Sequence, residues 1–532
     1  MFRTQCRSKA IQKSTIFSFV LQTKIIIICL RLYVNAQTIV TMREKSVTVL
    51  LLMFCLGSLR AQEMLGTWGS NYGGVSSAIQ NPAFIANSKL YMDINLVGAG
   101  FSYYHNDAYL EESDSYLYHY LHTKIGFPKQ TAKTNYYANH RPEFVKANMS
   151  ARELGPAVMW NSGKNAFALS FSMREFMSLS DFPNALASLT KYGSINQEII
   201  DHGGYNVTQP IRAAGMAWSE TAFTYARVLK SDNQNVVTLG ATVKYLVGYA
   251  GGYVNVKNID FTATSNTTIS ITDSYLNTGM SLPYDYSATR DNLGLDKQFK
   301  TGKGFGTDLG FSIQHNVRQH YVQRFNRLCE QEFEQYDYRF AVSLLDIGYI
   351  KFKDHVASET YANTIAKPID YDLRDFSFNS TQAAINRLNS LYGVTPNTTD
   401  PKFSVLLPSA ISFQYDKWIK NNIYVTAGGI IGMPLGKSAL QRPSQLALIP
   451  RYESDIFEVS IPLSLYDFKN PRLGLSTRIY FLTLGTDRLI SLGGVHDYYG
   501  YDFYASIRLN FMKFFRMQYI KGQCPESSNP CF

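Results

Sequence analysis

The sequence predicts an all-β protein, a transmembrane antiparallel β-barrel. Three observations carry this. Long segments alternate apolar and polar residues with period two. An export leader precedes them. Tyr (37) and Phe (33) are abundant, while only 17% of residues are charged. Outside the leader there is no apolar run of the roughly eighteen residues that a spanning helix needs, which argues against a helical membrane protein. Length alone, 532 residues, suggests about three domains, a prior that large barrels break.

The leader comes first. MREKSVTVLLLMFCLGSLRAQ, residues 42 to 62, has the three parts of a secretory signal: a basic start in Arg43 and Lys45, an apolar core over 47 to 59, and Ala61 before a cut at Gln62. Leu59 is a mediocre residue for its place before that cut. Cys55 is no lipid-attachment site, because Phe54 is too large for the position before one. With Met42 as the true start, residues 1 to 41 are a mis-assigned extension. The rival is cleavage after Ala36, but Arg31 interrupts the apolar core of KIIIICLRLYVNA.

Charge and cysteine usage follow from the leader. The net charge of +10 is concentrated there: residues 1 to 61 hold nine Lys and Arg against Glu44 alone, leaving 42 basic and 40 acidic residues in 62 to 532. That balance removes the nucleic-acid reading. Of six cysteines, Cys329, Cys524 and Cys531 follow the leader. They form no disulfide framework and no zinc spacing. Cys524 and Cys531 either bridge in an oxidising periplasm or lie in an inert tail.

SSAIQNPAF, residues 76 to 84, sits between leader and first strand. Pro82 removes a backbone donor and biases Asn81 away from helix, so locally this is a turn.

From residue 88 the strands begin. Leu90, Met92, Ile94 and Leu96 alternate with Tyr91, Asp93 and Asn95; Phe167, Leu169, Phe171 and Met173 with Ala168, Ser170, Ser172 and Arg174. In VTLGATVKYLV, Val237 to Val247 on odd numbers face away from Thr238, Gly240, Thr242 and Lys244. RLGLSTRIYF and YASIRLNF repeat the pattern, with Arg478 and Arg508 on the polar side. Such segments match the roughly nine to eleven residues that cross a bilayer at a tilt, and exceed the five or six or so of soluble strands. Small polar residues suit a lumen. Tyr103, Tyr104, Trp160, Trp418 and Tyr424, near segment ends, suit interfacial girdles.

Turns complete the hairpins. NSGKN (161 to 165) and KSDNQN (230 to 235) are short and polar, as on the periplasmic side. The stretches 105 to 155, 179 to 212, 262 to 300 and 353 to 403 are expected as outer loops, one carrying a helix over TQAAINRLNSLYG (381 to 393) with Gly393 as its stop. Pro462 marks a bulge or strand end, and the parity change at Leu344 and Leu345 another.

There is no GxSxG elbow, HExxH or P-loop. GKGFGTDLGFS (302 to 312) lacks the P-loop order and leads into a strand; Gly302, Gly304 and Gly306 share a face with Asp308, a smooth strip against which another backbone can lie. The nine His are scattered without metal spacing, and no cofactor is implied. The lumenal polar candidates are Arg174, Lys244, Asp308, Arg478 and Arg508. They either pair with other charges or form a polar constriction or head-group site.

Taken together, NPAF (81 to 84), LGATVKYLVGYAGGY (239 to 253), GKGFGTDLGF (302 to 311), SLLDIGYIKF (343 to 352), LPSAISFQYD (407 to 416) and the final LGTDRLISLGG and YASIRLNF resemble a family of uncharacterised outer-membrane barrels. That family is related to the long-chain fatty-acid outer-membrane transporters and to the barrel shuttle protein of type IX secretion. The resemblance spans about 65 to 511. It implies about fourteen strands and an N-terminal lumenal hatch, to which Asn81, Pro82 and Ala83 correspond; no ligand-contacting residue carries over. The chain departs from the pattern after Phe511, where many barrels end.

The expected organisation is a signal peptide (42 to 61), a hatch (62 to 87), a barrel (88 to 511) and a periplasmic tail (512 to 532). The location is the outer membrane of a diderm bacterium. The leading function is passive passage of a hydrophobic or amphipathic small molecule. The alternatives are a barrel that binds a protein partner and, third, an envelope enzyme; the first two involve no catalysis. The implied partners are outer-membrane lipids, a hydrophobic small molecule and the barrel-assembly machinery.

Overall fold

The computed structural model describes residues 63–109, 137–138, 142–186, 197–207, 209–232, 234–263, 265–288, 299–317, 322–324, 332–363, 368–372, 380–395, 401–489 and 499–511. The expected signal peptide, the extension before it, the tail with Cys524 and Cys531, and Cys329 lie outside the described residues.

Fourteen antiparallel strands form a closed ladder. They are β1 (Met92–His105), β2 (Phe144–Asn161), β3 (Asn165–Pro183), β4 (Ile211–Ser231), β5 (Asn235–Ala263), β6 (Gly302–Asn316) and β7 (Tyr336–Phe352). β8 (Phe403–Leu406 with Ala410–Lys420), β9 (Ile423–Gly432), β10 (Gln445–Glu453) and β11 (Phe457–Ser460 with Leu463–Tyr466) follow. β12 (Asn470–Leu473 with Leu475–Ile479), β13 (Leu482–Thr486) and β14 (Gly500–Phe511) complete the circuit. β14 closes on β1 from Met92↔Phe511 to Tyr104↔Gly500. Full closure leaves no edge with unpaired backbone groups, which lipid requires.

The period-two rule decides which side chain meets lipid. On β5, Val243 (61% exposed) and Tyr245 (43%) point outward, while Lys244 (5%) and Leu246 (0%) point inward. Leu169, Met177, Phe223, Phe305 and Tyr349 repeat the outward set on other strands. Exposing such a side chain to water costs about 1.5–3 kcal/mol, so this face is built for lipid. Trp160, Phe167 and Tyr225 stack across β2 to β4 at one rim, Phe167 lying 6.1 and 5.2 Å from the other two, as an interfacial girdle does.

Tyr104 and Tyr424 are corrections. Both are buried in the lumen, because their neighbours Tyr103 and Ile423 take the outward phase. The expected outer loops are also partly wrong. β2 begins at Phe144, so 144 to 155 is strand. The strands Thr268–Ser281, Val356–Asn363 and Ile369–Asp372 form a rim sheet on the extension of β5. Rim strands need no lipid-facing apolar side, so alternation did not reveal them. The helix Thr381–Tyr392 starts under Ser380, whose hydroxyl accepts from Ala383 N, and stops at Gly393 (φ 63°).

Irregularities fall where parity shifts. β11 breaks around Pro462. On β7 both Leu345 and Asp346 are buried, and the register with β6 slips between Thr307 and Leu309.

Candidate functional site

Residues 63 to 91 lie within the ring of strands. Short 3-10 turns at Leu65–Thr67, Gly74–Ile79 and Pro82–Ile85 fold the chain back on itself. One side of this segment is apolar: Tyr72, Val75, Ala78, Ile85, Ala86 and Leu90 pack on Leu154, Ala157, Met159, Ala166, Ala168 and Ala226 of β2 to β4. The wall offers mostly alanines there, which leaves room for a chain inside.

The other side is polar and answers inward-facing strand residues. Asn71 donates to Glu453 (2.9 Å), and Lys89 pairs with Glu453 (3.0 Å). Arg451 joins Glu453 and Asp416, both at 3.1 Å. Arg339 donates to the Gly69 carbonyl (2.8 Å), and Tyr336 donates to Asp416. Lys89 stands just before β1; burial lowers its pKa and the Glu453 carboxylate opposes the drop.

Asn81, Pro82 and Ala83 form the last turn. The Asn81 side chain accepts from Ala83 N (2.9 Å) and donates to the carbonyls of Val342 (3.1 Å) and Phe311 (3.3 Å). The wall behind it is glycine. A Cβ on Gly240 would stand 2.4 Å from the Pro82 carbonyl carbon, and one on Gly310 would stand 2.1 Å from Asn81 Oδ1. The smooth strip expected at Gly302, Gly304 and Gly306 therefore serves elsewhere. Gly302 and Gly306 face the side chains of Ile350, Phe352 and Leu407, and backbone meets backbone at Gly240.

Above this segment lies an ionic layer. Lys244 bonds Asp308 and Asp346, both at 2.7 Å. Arg174 bonds Asp346 (2.8 Å) and Glu220 (3.2 Å). Arg442 bonds Glu63 (2.7 Å) and Asp346 (3.4 Å). Every one of these side chains is at most 9% exposed. Charges this deep persist because they are mutually paired.

Farther out, an apolar collar faces inward: Phe176, Met216, Trp218, Leu246, Ile350, Phe352, Phe403, Val405 and Leu407, closed by Leu440. The Arg174 guanidinium, 4.8 Å from the Trp218 ring, joins layer to collar.

A cavity lies beside the N-terminal segment, lined by Ile79, Gly98, Leu154, Thr483, Tyr504 and Ser506 among others. It adjoins a fault in the ladder. β1 and β2 pair through Asn95↔Ala157 and resume at Gly98↔Leu154, with Leu96 and Val97 both turned to lipid at 47% and 50% exposure. The Asn95 side chain bridges the gap, donating to the carbonyls of Leu154 (3.1 Å) and Gly155 (2.9 Å).

The five sequence-predicted charges fall into two groups. Arg174, Lys244 and Asp308 meet in the ionic layer. Arg478 and Arg508 instead hold the N-terminal segment: Arg508 donates to the carbonyls of Tyr72 and Gly73, and Arg478 pairs with Glu458 (3.1 Å) over the Tyr72 ring. Sequence reasoning missed Glu220, Asp346, Arg442, Asp416, Arg451 and Glu453. Arg451 and Glu453 carried a usable signal, two charges on one strand parity; Asp346 was hidden by the bulge beside it.

Residues 82–487 match the model of a family described as a family of unknown function (DUF5723). No curated protein matches the chain. Among solved structures it is similar to the Pseudomonas putida toluene transporter TodX, at 9% identity over 85% of this chain and 99% of that one, with a TM-score of 0.30. It is also similar to the Ralstonia pickettii toluene transporter TbuX (9% identity, 86% and 100% covered, TM-score 0.21). A Pseudomonas aeruginosa FadL homologue gives 12% identity, 86% and 100% covered, and a TM-score of 0.21. At these values the likenesses add nothing to the barrel read from the ladder itself.

Proposed function

For a chain that belongs to the family of unknown function DUF5723, we propose passive passage of a hydrophobic or amphipathic small molecule across an outer membrane. The observation that carries this is the apolar collar. Aromatic and aliphatic side chains, each at most 7% exposed, pack together inside a membrane barrel, where a water-filled lumen would select polar ones. A solute desolvated in the collar meets the ionic layer and then the cavity beside residues 63 to 91. The fault between β1 and β2 offers it a side exit toward lipid. The N-terminal segment acts as the hatch that keeps this route from being an open pore. The protein needs no cofactor and no catalysis for this, and its export uses the leader at 42 to 61.

Mass spectrometry of molecules co-purifying with the mature protein, together with uptake into proteoliposomes, tests the proposal. The expected result is a bound hydrophobic compound and faster uptake than in empty liposomes. If neither is found, partner binding becomes the better reading. The rim sheet around Thr268–Ser281 and the helix Thr381–Tyr392 supply an ordered outer surface for it.

A further inference from the structure

We propose that the outer part of the lumen holds an oxyanion, a carboxylate or phosphate group, between Arg472 of β12 and Arg488 just beyond β13. The two guanidinium groups share one aromatic floor. Arg472 lies 3.3 Å from the centre of the Tyr466 ring and 5.5 Å from that of Tyr104; Arg488 lies 5.9 and 5.1 Å from the same rings. Such stacking fixes the planes of both cations.

Their hydrogen-bonding edges take no bond from the described residues around them. Nε and Nη2 of Arg472 and Nε and Nη2 of Arg488 are buried and have no hydrogen-bond partner among the described residues. That edge is the fork that grips a carboxylate or phosphate with two parallel bonds. The hydroxyls of Tyr466 and Ser464, the latter paired in register with Arg472, are buried and unpartnered too. Six buried polar atoms of Ser464, Tyr466, Arg472 and Arg488 thus lack a partner among the described residues, and Arg488 is only 6% exposed.

The contrast with the rest of the lumen is chemical. Arg174, Arg442, Arg451 and Arg478 each bond a carboxylate. The Asp502 carboxylate acts on both Arg472 and Arg488, and that of Asp487 on Arg472, at longer range rather than through a direct bond. Asp487 accepts from Leu65 N (3.1 Å), and Asp502 accepts from Asp487 N (2.9 Å). Burial, and then repulsion from Arg472, push the Arg488 guanidinium down to about 9. Two cations brought together without a contacting anion among the described residues are at a cost that a bound oxyanion relieves. The neighbouring Lys146 and Asp467 pair, 40% and 27% exposed, puts the site within reach of the outer mouth.

The group can belong to a free oxyanion or to the head of an anionic amphiphile, and calorimetry separates the two. The folded protein in a non-ionic detergent is titrated with inorganic phosphate, with octanoate, and with octanol as the uncharged control. Saturable binding of phosphate or octanoate is expected, weakened by about tenfold or more in Arg472→Gln and in Arg488→Gln, the weight of a charge-assisted bond. Octanol should be unaffected. Phosphate binding without octanoate binding assigns a free oxyanion; tighter octanoate binding assigns a head group. If a Gln variant loses the heat-modifiable mobility of a folded barrel, Tyr466→Phe replaces it, and weaker oxyanion binding is again expected. The site is overturned if neither anion binds saturably, or if the folded variants bind as the unaltered protein does.

Discussion

Lys244 shows what a single inward position must satisfy. Its ammonium meets Asp308 and Asp346 at 2.7 Å each in a place where water is scarce. Removing one partner of such a buried pair leaves an uncompensated charge, at a cost of about 3–5 kcal/mol. Lys244→Met should therefore lower the temperature at which the barrel loses its folded mobility on a gel. Adding Asp308→Asn should recover part of that loss, since it removes one stranded carboxylate. An unchanged unfolding temperature in Lys244→Met would mean that the layer is water-filled rather than packed. If the double variant folds but takes up solutes as before, the layer is structural and forms no constriction.

At the scale of the strand, the outward phase makes the complementary prediction. Leu169 on β3 is 52% exposed on the lipid face, beyond the girdle of Trp160 and Phe167. An arginine there costs roughly 2–4 kcal/mol in the bilayer core and far less near its surface. Leu169→Arg should reduce folded yield in lipid vesicles, while Leu169→Phe should not. Equal folding of the two would place β3 outside the hydrocarbon. This phase was legible in the sequence because backbone geometry alone sets a period of two, so VTLGATVKYLV already put Val243 and Lys244 on opposite faces. The stagger between strands was not legible. It brings Asp346 to Lys244 across 102 positions and Arg442 to Glu63 across 379, and nothing local encodes it. Rim strands escaped for a related reason: outside the membrane they carry no lipid-facing phase, and Ile269, Ile271, Leu276 and Tyr371 pack into a local cluster instead.

The whole molecule couples these scales through one close fit. Residues 63 to 91 can pack against the lumen wall because Gly240 and Gly310 let the turn of Asn81, Pro82 and Ala83 approach it. The glycines around 302 to 306 looked equally suitable in sequence, and only the three-dimensional path of the segment distinguishes them. Replacing Gly240 by Leu should push Pro82 off the wall while leaving the strand's hydrogen bonds intact. Deleting 63 to 87 removes all but the last four residues of the segment, with its bonds to Arg508 and Arg339 and that of Asn71 to Glu453. If the segment is a hatch, both changes should make cells more sensitive to large antibiotics that ordinary porins exclude, the deletion more than Gly240→Leu. Surface labelling and heat-modifiable mobility would verify that each variant is folded and inserted. Folded variants with unchanged sensitivity would mean that the ionic layer and the collar seal the lumen by themselves, leaving residues 63 to 91 as internal scaffolding for the strands that they touch.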